Sequence, residues 1–342
     1  MWSANRMDLR SGEVHKEALK NGDAYAIVWP DGNGRAMIFP NSAASIAVTY
    51  DEELPGRIRH AAKFWRTGDK HTRLNLYFPD RIEKYVTAKS GEGLLPEASE
   101  FVPAITTPNA PAQPGLPFAT VLDRHVVPNP FGVVPVFHFA NNADIGMPGR
   151  SELEAAIPIQ DGLNKSVLDM LVAMEFSAFR QRWVTGIEVE LDADGKAVPP
   201  FKAGADRLWV AADANSKFGD FKEAELDQFL KVKDSFRIDI ASVTGTPLHY
   251  LMPHMRGQPS GETLKRSETR FIAKVRDRQA SFGQVWADLM KFALVVEGRG
   301  TNLRIQTSWE DPSPTSERER LENILLKRQI GLPADKAMDE AG

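Results

Sequence analysis

VTGTPLHYLMPHMRGQPSGETLKRSETRFIAKVRDRQASFGQVWADLMKFALVVEG, residues 243–298, runs from a Pro/Gly-rich loop straight into an amphipathic stretch of unusual length. Leu264, Phe271, Val275, Phe282, Trp286, Leu289 and Ala293 recur at the three-and-four spacing of one buried helix face. A helix over 261–296 would be about 50 Å long at 1.5 Å per residue, several times the usual three or four turns. Ser260 suits the N-cap of that helix, and Glu262 sits well against its dipole. Lys265, Arg266, Arg270, Lys274, Arg276 and Arg278 outnumber Glu262, Glu268 and Asp277 in its first half. Such a flank is either a solvated face with i,i+4 pairs, or a contact with phosphates or with a neighbouring copy.

Upstream, the pattern is long helix, small β module, helix. Ser151 is a good N-cap for a helix from Glu152 to about Arg182, with Leu153, Ile157, Leu163, Val167, Leu171, Met174 and Ala178 on its apolar stripe. Pro158 and Gly162 are the expected kink points. Residues 185–220 alternate like strands around an Asp194-Gly195 turn, and 223–242 return to helical period through Leu226, Phe229, Leu230, Val232, Phe236 and Ile240. Downstream, 317–329 reads as a helix capped by Thr315 or Ser316, followed by a Gly331-Leu332-Pro333 break and a short final helix.

The first ninety residues read as a mostly antiparallel sheet with a short helix around 11–21. DAYAIVWP and RAMIFP flank the turn Asp31-Gly32-Asn33-Gly34, and further strands are expected at 58–65 and 72–86, broken at Phe78-Pro79-Asp80. Nine of the 23 prolines fall between Leu95 and Pro135, which predicts an extended connection without regular structure. The strand VVPVFHFAN follows, with His138 as a satisfied, half-buried histidine.

Composition narrows the chemistry. The 342 residues suffice for two or three domains, and a net charge of −4 argues against a general grip on nucleic acid. Without cysteine there is no disulfide, thiol nucleophile or Cys-based zinc site. No run of eighteen apolar residues and no signal-peptide core occur, so the expectation is an intracellular protein that does not span a membrane. No G-x-x-x-x-G-K-[ST] is present, and Met37 stands where a dinucleotide fingerprint needs its third glycine. Gly257-Gln258-Pro259-Ser260-Gly261 places its serine three residues after the first glycine, one too far for a nucleophile elbow. His249 and His254 are the only histidine pair left open as functional, and a hydrolase built on Ser260 with one of them is the rival from the enzyme class. No cofactor and no metal are expected.

Several segments in order carry a resemblance. GMPGRSELEAAIPIQDGLNKSVLDMLVAMEFSAFRQRWVTG, then VTGTPLHYLM with SGETLKRSETRFIAKVRDRQASFG, then WEDPSPTSERERLENILLKRQIGLP, resemble portal proteins of tailed double-stranded DNA bacteriophages, in the branch of long-tailed phages and prophages of Gram-positive hosts. W-x-x-N-x-(M/L)-D at 2–8 and A-L-x-x-G-x-A-Y-x-x-V at 18–28 look like the same branch. The resemblance covers nearly the whole chain.

It implies an α+β, portal-type ring subunit. The β-rich wing with its Pro-rich connection would be 1–150, the first stem helix 151–183, a small α/β clip 184–222, and the second stem helix 223–245. The tunnel loop would be 246–260, the long wing helix and return to the wing 261–313, and the start of a helical crown 314–342. Family members often extend beyond both ends of this chain, so the crown is expected to be truncated. The implied role is non-enzymatic: a channel, dodecameric in the family, at one capsid vertex of the virion, assembled in the host cytoplasm. Double-stranded DNA would pass through it during packaging and ejection. Implied partners are further copies of the chain, the terminase large subunit, a head–tail adaptor, and the major capsid and scaffolding proteins. By loop position, His254, Met255, Arg256, Gln258 and Ser260 would face DNA, while Lys265, Arg266, Arg270 and Lys274 would contact a subunit or phosphate. Another head–tail adaptor or minor capsid protein is the alternative from the structural class.

Overall fold

The computed structural model describes residues 1–91, 96–104, 125–178, 182–186, 191–196, 215–220, 226–252, 261–300, 304–313, 317–331 and 333. Its elements are α1 (Met7–Asn21), β1 (Asp23–Pro30), β2 (Ala36–Ser42), β3 (Ile46–Tyr50), β4 (Ile58–Arg66), β5 (Thr72–Tyr77), β6 (Arg81–Thr87), β7 (Phe101–Pro103), β8 (Val126–Pro128), β9 (Val136–Ala140), α2 (Ile157–Ala178), β10 (Arg182–Thr185), β11 (Lys217–Asp220), α3 (Leu226–Thr244), α4 (Leu248–Leu251), α5 (Gly261–Val296) and α6 (Glu317–Gln329). The chain divides into two compact units, one of 1–156, 244–247 and 254–342, the other of 157–243 and 248–253. The fold is α+β.

The first unit is layered. The expected single sheet is two: β2-β1-β9, and β3-β4-β5-β6-β7 with β8 also on β6. A 3-10 turn at Ala43–Ser45 separates β2 from β3. There Ser45 Oγ donates to Ser42 O (3.0 Å) and Glu17 accepts from Ala43 N (3.3 Å), which carries the chain out of the first sheet. In β1 the period of two is strict in effect. Ala24, Ala26 and Val28 face one core with α1 and α5, while Tyr25 and Ile27 face a second core with Ile46, Ala61, Tyr77, Ile82 and Val127 of the larger sheet. Ala24 lies opposite Phe139 and Ala26 opposite Phe137, so small residues on β1 make room for aromatic rings on β9.

The two N-terminal motifs are packing devices. Trp2 meets Trp286 edge to face at 5.2 Å and donates from Nε1 to Asp8 (2.8 Å). Buried Asn5 donates to Ala36 O (2.9 Å) and accepts from Ile38 N (2.9 Å), filling in as a strand beside β2. Met7 and Ala18 are fully buried. Gly22 ends α1 at φ +90°, where a Cβ would collide with the Gly149 carbonyl.

Helix α5 matches its expected span and is about 54 Å long at 1.5 Å per residue. Phe282, Trp286, Leu289, Phe292 and Ala293 of its second half are buried in the first core. The flanks of the proline-rich stretch are more regular than expected. Both β7 and β8 pair with β6, and Pro103 and Pro128 sit at strand ends, where a missing N–H is tolerated. Residues 105–124 lie outside the described set.

In the second unit, α2 starts at Ile157 instead of Glu152. Pro158, in the first turn, belongs where its absent N–H costs nothing, so it marks the start of the helix and not a kink. The helix runs on through Gly162, which gives room to the Phe236 ring of α3: a Cβ there would lie 3.0 Å from that ring. Arg182 opens β10, which pairs with β11 in register from Arg182↔Asp220 to Thr185↔Lys217. Gly195, at φ +75°, closes the expected turn, with Asp192 Oδ1 accepting from Asp194 N (3.0 Å) and Lys196 N (2.8 Å). Apolar side chains on both helices stay exposed, among them Leu168, Leu171 and Met174 on α2 and Leu230 and Ile238 on α3.

Candidate functional site

The residues expected to face DNA, His254, Met255, Arg256, Gln258 and Ser260, lie outside the described residues, as does the proposed N-cap of α5. The described part of that segment is not all loop: 248–251 form the short helical turn α4, where His249 and Tyr250 meet edge to face at 4.5 Å.

Part of the basic flank is spent within the chain. Lys274 and Arg278, one turn apart on α5, converge on Glu152. Lys274 Nζ pairs with one carboxylate oxygen, and Arg278 donates to the other from Nη2 (3.0 Å) and Nε (3.3 Å). Asn141 Nδ2 adds a third donor to Glu152 (3.0 Å). Burial alone would raise the Glu152 pKa, but the hydrogen bonds from Lys274, Asn141 and Arg278 outweigh it and hold the carboxyl below its ordinary value. Lys274 therefore has a partner far away in sequence, Glu152.

The cluster sits where the chain leaves and re-enters the first unit. Glu152 N donates to Leu19 O (2.9 Å), and Ser151 Oγ accepts from Leu153 N (3.0 Å), so the expected cap residue holds a turn ahead of the helix. Lys274 Nζ also donates to Thr244 O (2.9 Å), the last carbonyl of α3, where a cation suits the helix dipole. One lysine thus fastens both crossing points, near 152 and at 244, to the middle of α5. Farther along the flank, Arg276 donates to Asp311 Oδ1 and Ser313 Oγ, both at 2.9 Å. Lys265, Arg266 and Arg270 are exposed.

Two of the histidines, His138 and His15, are structural. His138 has a 4% exposed side chain, donates from Nε2 to Asp23 (2.7 Å), meets the Tyr50 hydroxyl at Nδ1 (2.6 Å) and stacks on Tyr25 at 4.6 Å, as expected for a satisfied histidine. His15 was not singled out from sequence, because its partners Phe282, Trp286 and Trp309 are more than 260 residues away. Its Nε2 accepts from Trp286 Nε1 (2.8 Å), which requires the neutral ring, and burial lowers its pKa accordingly. Among the described residues no cluster of three His, Asp or Glu could hold a metal ion, and no helix is long and apolar enough to cross a membrane.

Glu152, held by Lys274, Arg278 and Asn141, is the centre of a structural cluster within the first unit. The family model described as "Phage portal protein, SPP1 Gp6-like" matches residues 1–336. The chain belongs to the phage portal protein family. A portal protein of Mycobacterium phage L5 is 30% identical over 197 residues, covering 55% of this chain and 40% of the relative. One of Mycobacterium phage D29 is 28% identical over 228 residues, covering 63% and 47%. The chain thus spans less than half the length of these relatives. Within the portal family, helices α2 and α3 around the β10–β11 pair, followed by long α5, keep the order the sequence predicts.

Proposed function

We propose that this portal-family chain is one subunit of a ring-shaped channel at a capsid vertex, through which phage DNA is packaged and ejected. The observation that carries this reading is the match over residues 1–336 to one structural family, with two helices around a small β module ahead of a long helix. The exposed apolar faces of α2 and α3 support assembly, since a single chain does not bury them. In this reading, the two helices line the channel stem, the β10–β11 module and residues 184–222 form the clip, and residues 246–260 form the tunnel loop. The ring is a dodecamer that docks the terminase large subunit and the head–tail adaptor, within a shell of major capsid protein built on scaffolding protein. The subunit hydrolyses nothing itself. The chain's mild negative charge suits sliding, because neutralising many phosphates would hold DNA in place.

Electron microscopy of the purified chain tests this: rings with a central hole wide enough for a DNA duplex are expected, and a monodisperse monomer at all concentrations counts against it. Subunit contacts on the order of 2,000 Å² are expected for an obligate ring. Alanine at His254 and Arg256 should alter DNA packaging or retention in assembled particles while leaving ring formation intact. Unchanged packaging would remove those residues from the channel.

A further inference from the structure

We propose that one end of the larger sheet in the first unit is a contact surface for duplex DNA, separate from residues 246–260. Residues 63–73 and 84–91, the end of β4, the β4–β5 loop, the start of β5 and the end of β6, carry Lys63, Arg66, Lys70, Arg73, Lys84 and Lys89 against one carboxylate, Asp69. Glu97 and Glu100 come near through the bond from Ala88 N to Glu100 O (3.0 Å), and there they cap their own 3-10 turn. Register puts three of the cations on one face. Lys63 and Lys84 flank Asn75 across three adjacent strands, and Arg73 lies opposite Trp65, two residues beyond Lys63. The Lys63 ammonium stands over the Trp65 ring at 5.2 Å, which holds it on that face. Arg66 donates to Gly91 O, while Arg73 and Lys89 are exposed. Among the described residues, Lys63, Arg66, Arg73 and Lys89 have no carboxylate partner. Burial alone moves the Lys63 pKa, downward, so an arriving anion would be its first counter-charge.

The opposite end of the same sheet has the reverse balance. Around the β3–β4 and β5–β6 turns, Asp51, Glu52, Glu53, Asp80 and Glu83 outnumber Arg57, Arg59 and Arg81, and Arg81 pairs with both Asp80 (3.0 Å) and Glu83 (2.6 Å). In a chain of net charge −4, open cations gathered at one end of one sheet are a local footprint for a polyanion. They leave from two sheet faces and two loops on long side chains, without the fixed spacing that a particular set of carboxylates would need. A duplex suits this arrangement, because it presents one phosphate charge about every 1.7 Å of its axis and unevenly spaced cations each meet one. An acidic protein segment would have to match the pattern residue by residue. The portal reading supplies the DNA, and the contact itself is measurable without that reading.

Filter binding of closed circular plasmid DNA, which cannot thread a ring, tests the proposal on the full chain as subunits and as rings. The logarithm of the binding constant should fall with the logarithm of salt concentration at a slope of about −3, near 0.9 for each phosphate neutralised. Arg73→Gln with Lys89→Gln, both exposed positions, should keep the circular dichroism spectrum and flatten that slope by about 2. Lys63→Gln should flatten it by about 1. Arg57→Gln with Arg59→Gln, at the opposite end of the sheet, should leave it unchanged. No binding of circles at low salt, equal slopes in the two double variants, or tighter binding of polyglutamate than of DNA would each overturn the proposal. Rings that form and ignore circular DNA would remove this inference and leave the portal reading standing. Subunits that bind circles with the expected slopes and never form rings would remove the portal reading and leave this surface.

Discussion

The second half of α5 and the outer faces of α2 and α3 are both apolar and end in opposite environments. Phe282, Trp286, Leu289, Phe292 and Ala293 vanish into the first core, whereas Leu168, Leu171, Val172 and Met174 on α2, and Leu230, Val232 and Ile238 on α3, stay open to solvent. All three helices are amphipathic by pattern, and the difference lies in what the chain folds against them. α5 has a three-stranded sheet and α1 to cover it, while α2 is packed on α3 through Gly162 and Phe236 and keeps apolar residues to spare. Spare apolar helix surface in one subunit is what an assembling subunit would carry.

The comparison breaks most visibly at Trp286. Trp286→Ala removes a 3%-exposed indole, its edge contact with Trp2 and its hydrogen bond to His15, and should cost the first unit about 3–5 kcal/mol in chemical denaturation. A loss under 1 kcal/mol would mean that α5 is not the keystone of that core.

Glu152→Gln comes next, at about 2 kcal/mol, because it leaves Arg278, whose side chain is only 14% exposed, with only the exposed Asp277 as a carboxylate partner. Here the pH dependence gives a second measurement. Glu152 has a folded pKa below its ordinary 4.5, so its stabilisation is fully present above about pH 4.5 and is lost as pH falls through the folded value. The wild-type chain should show this component in its acid limb, and the Gln variant should lack it.

At Gly283 the effect should be smaller. Gly283→Ala would push Trp309 off α5, for about 1–2 kcal/mol, with a red shift in tryptophan emission as that ring gains water. Unshifted emission would show that 304–309 can rearrange without leaving the helix. Leu171→Ala completes the contrast: its side chain is already 54% exposed, so the dissociated chain should lose less than about 0.5 kcal/mol, while rings should weaken measurably at the same concentration. Equal loss in both states would place Leu171 inside a single-chain core after all.

Much of the fold was legible in the sequence for local reasons. The span of α5 followed from one periodic stripe, and the Asp31–Gly34 and Asp194-Gly195 turns followed from turn chemistry; both close as expected, with Asp31 Oδ1 accepting from Asn33 N and Arg35 N at 2.8 Å. Local chemistry failed where two principles competed. Ser151 caps a turn and not a helix, because Pro158 seven residues later is a better first-turn residue. The first ninety residues split into two sheets because period two does not say which strand is the neighbour. Of the candidate site, the basic flank was visible as composition, but its Glu152 partner was not: 122 residues of chain separate Glu152 from Lys274, and no local pattern marks the pair.

The sequence by itself determined the order of elements, the length of the long helix, the absence of cysteine chemistry and the family resemblance, since these depend on neighbours along the chain and on composition. Only the tertiary structure decided which basic residues are spent internally, that His15 and His138 are structural, and that Asn5 closes the edge of β2. Those facts depend on groups far apart in sequence meeting at hydrogen-bond distance. Burial of polar groups is tolerated only when such partners are found, and where the partner lies is a property of the fold.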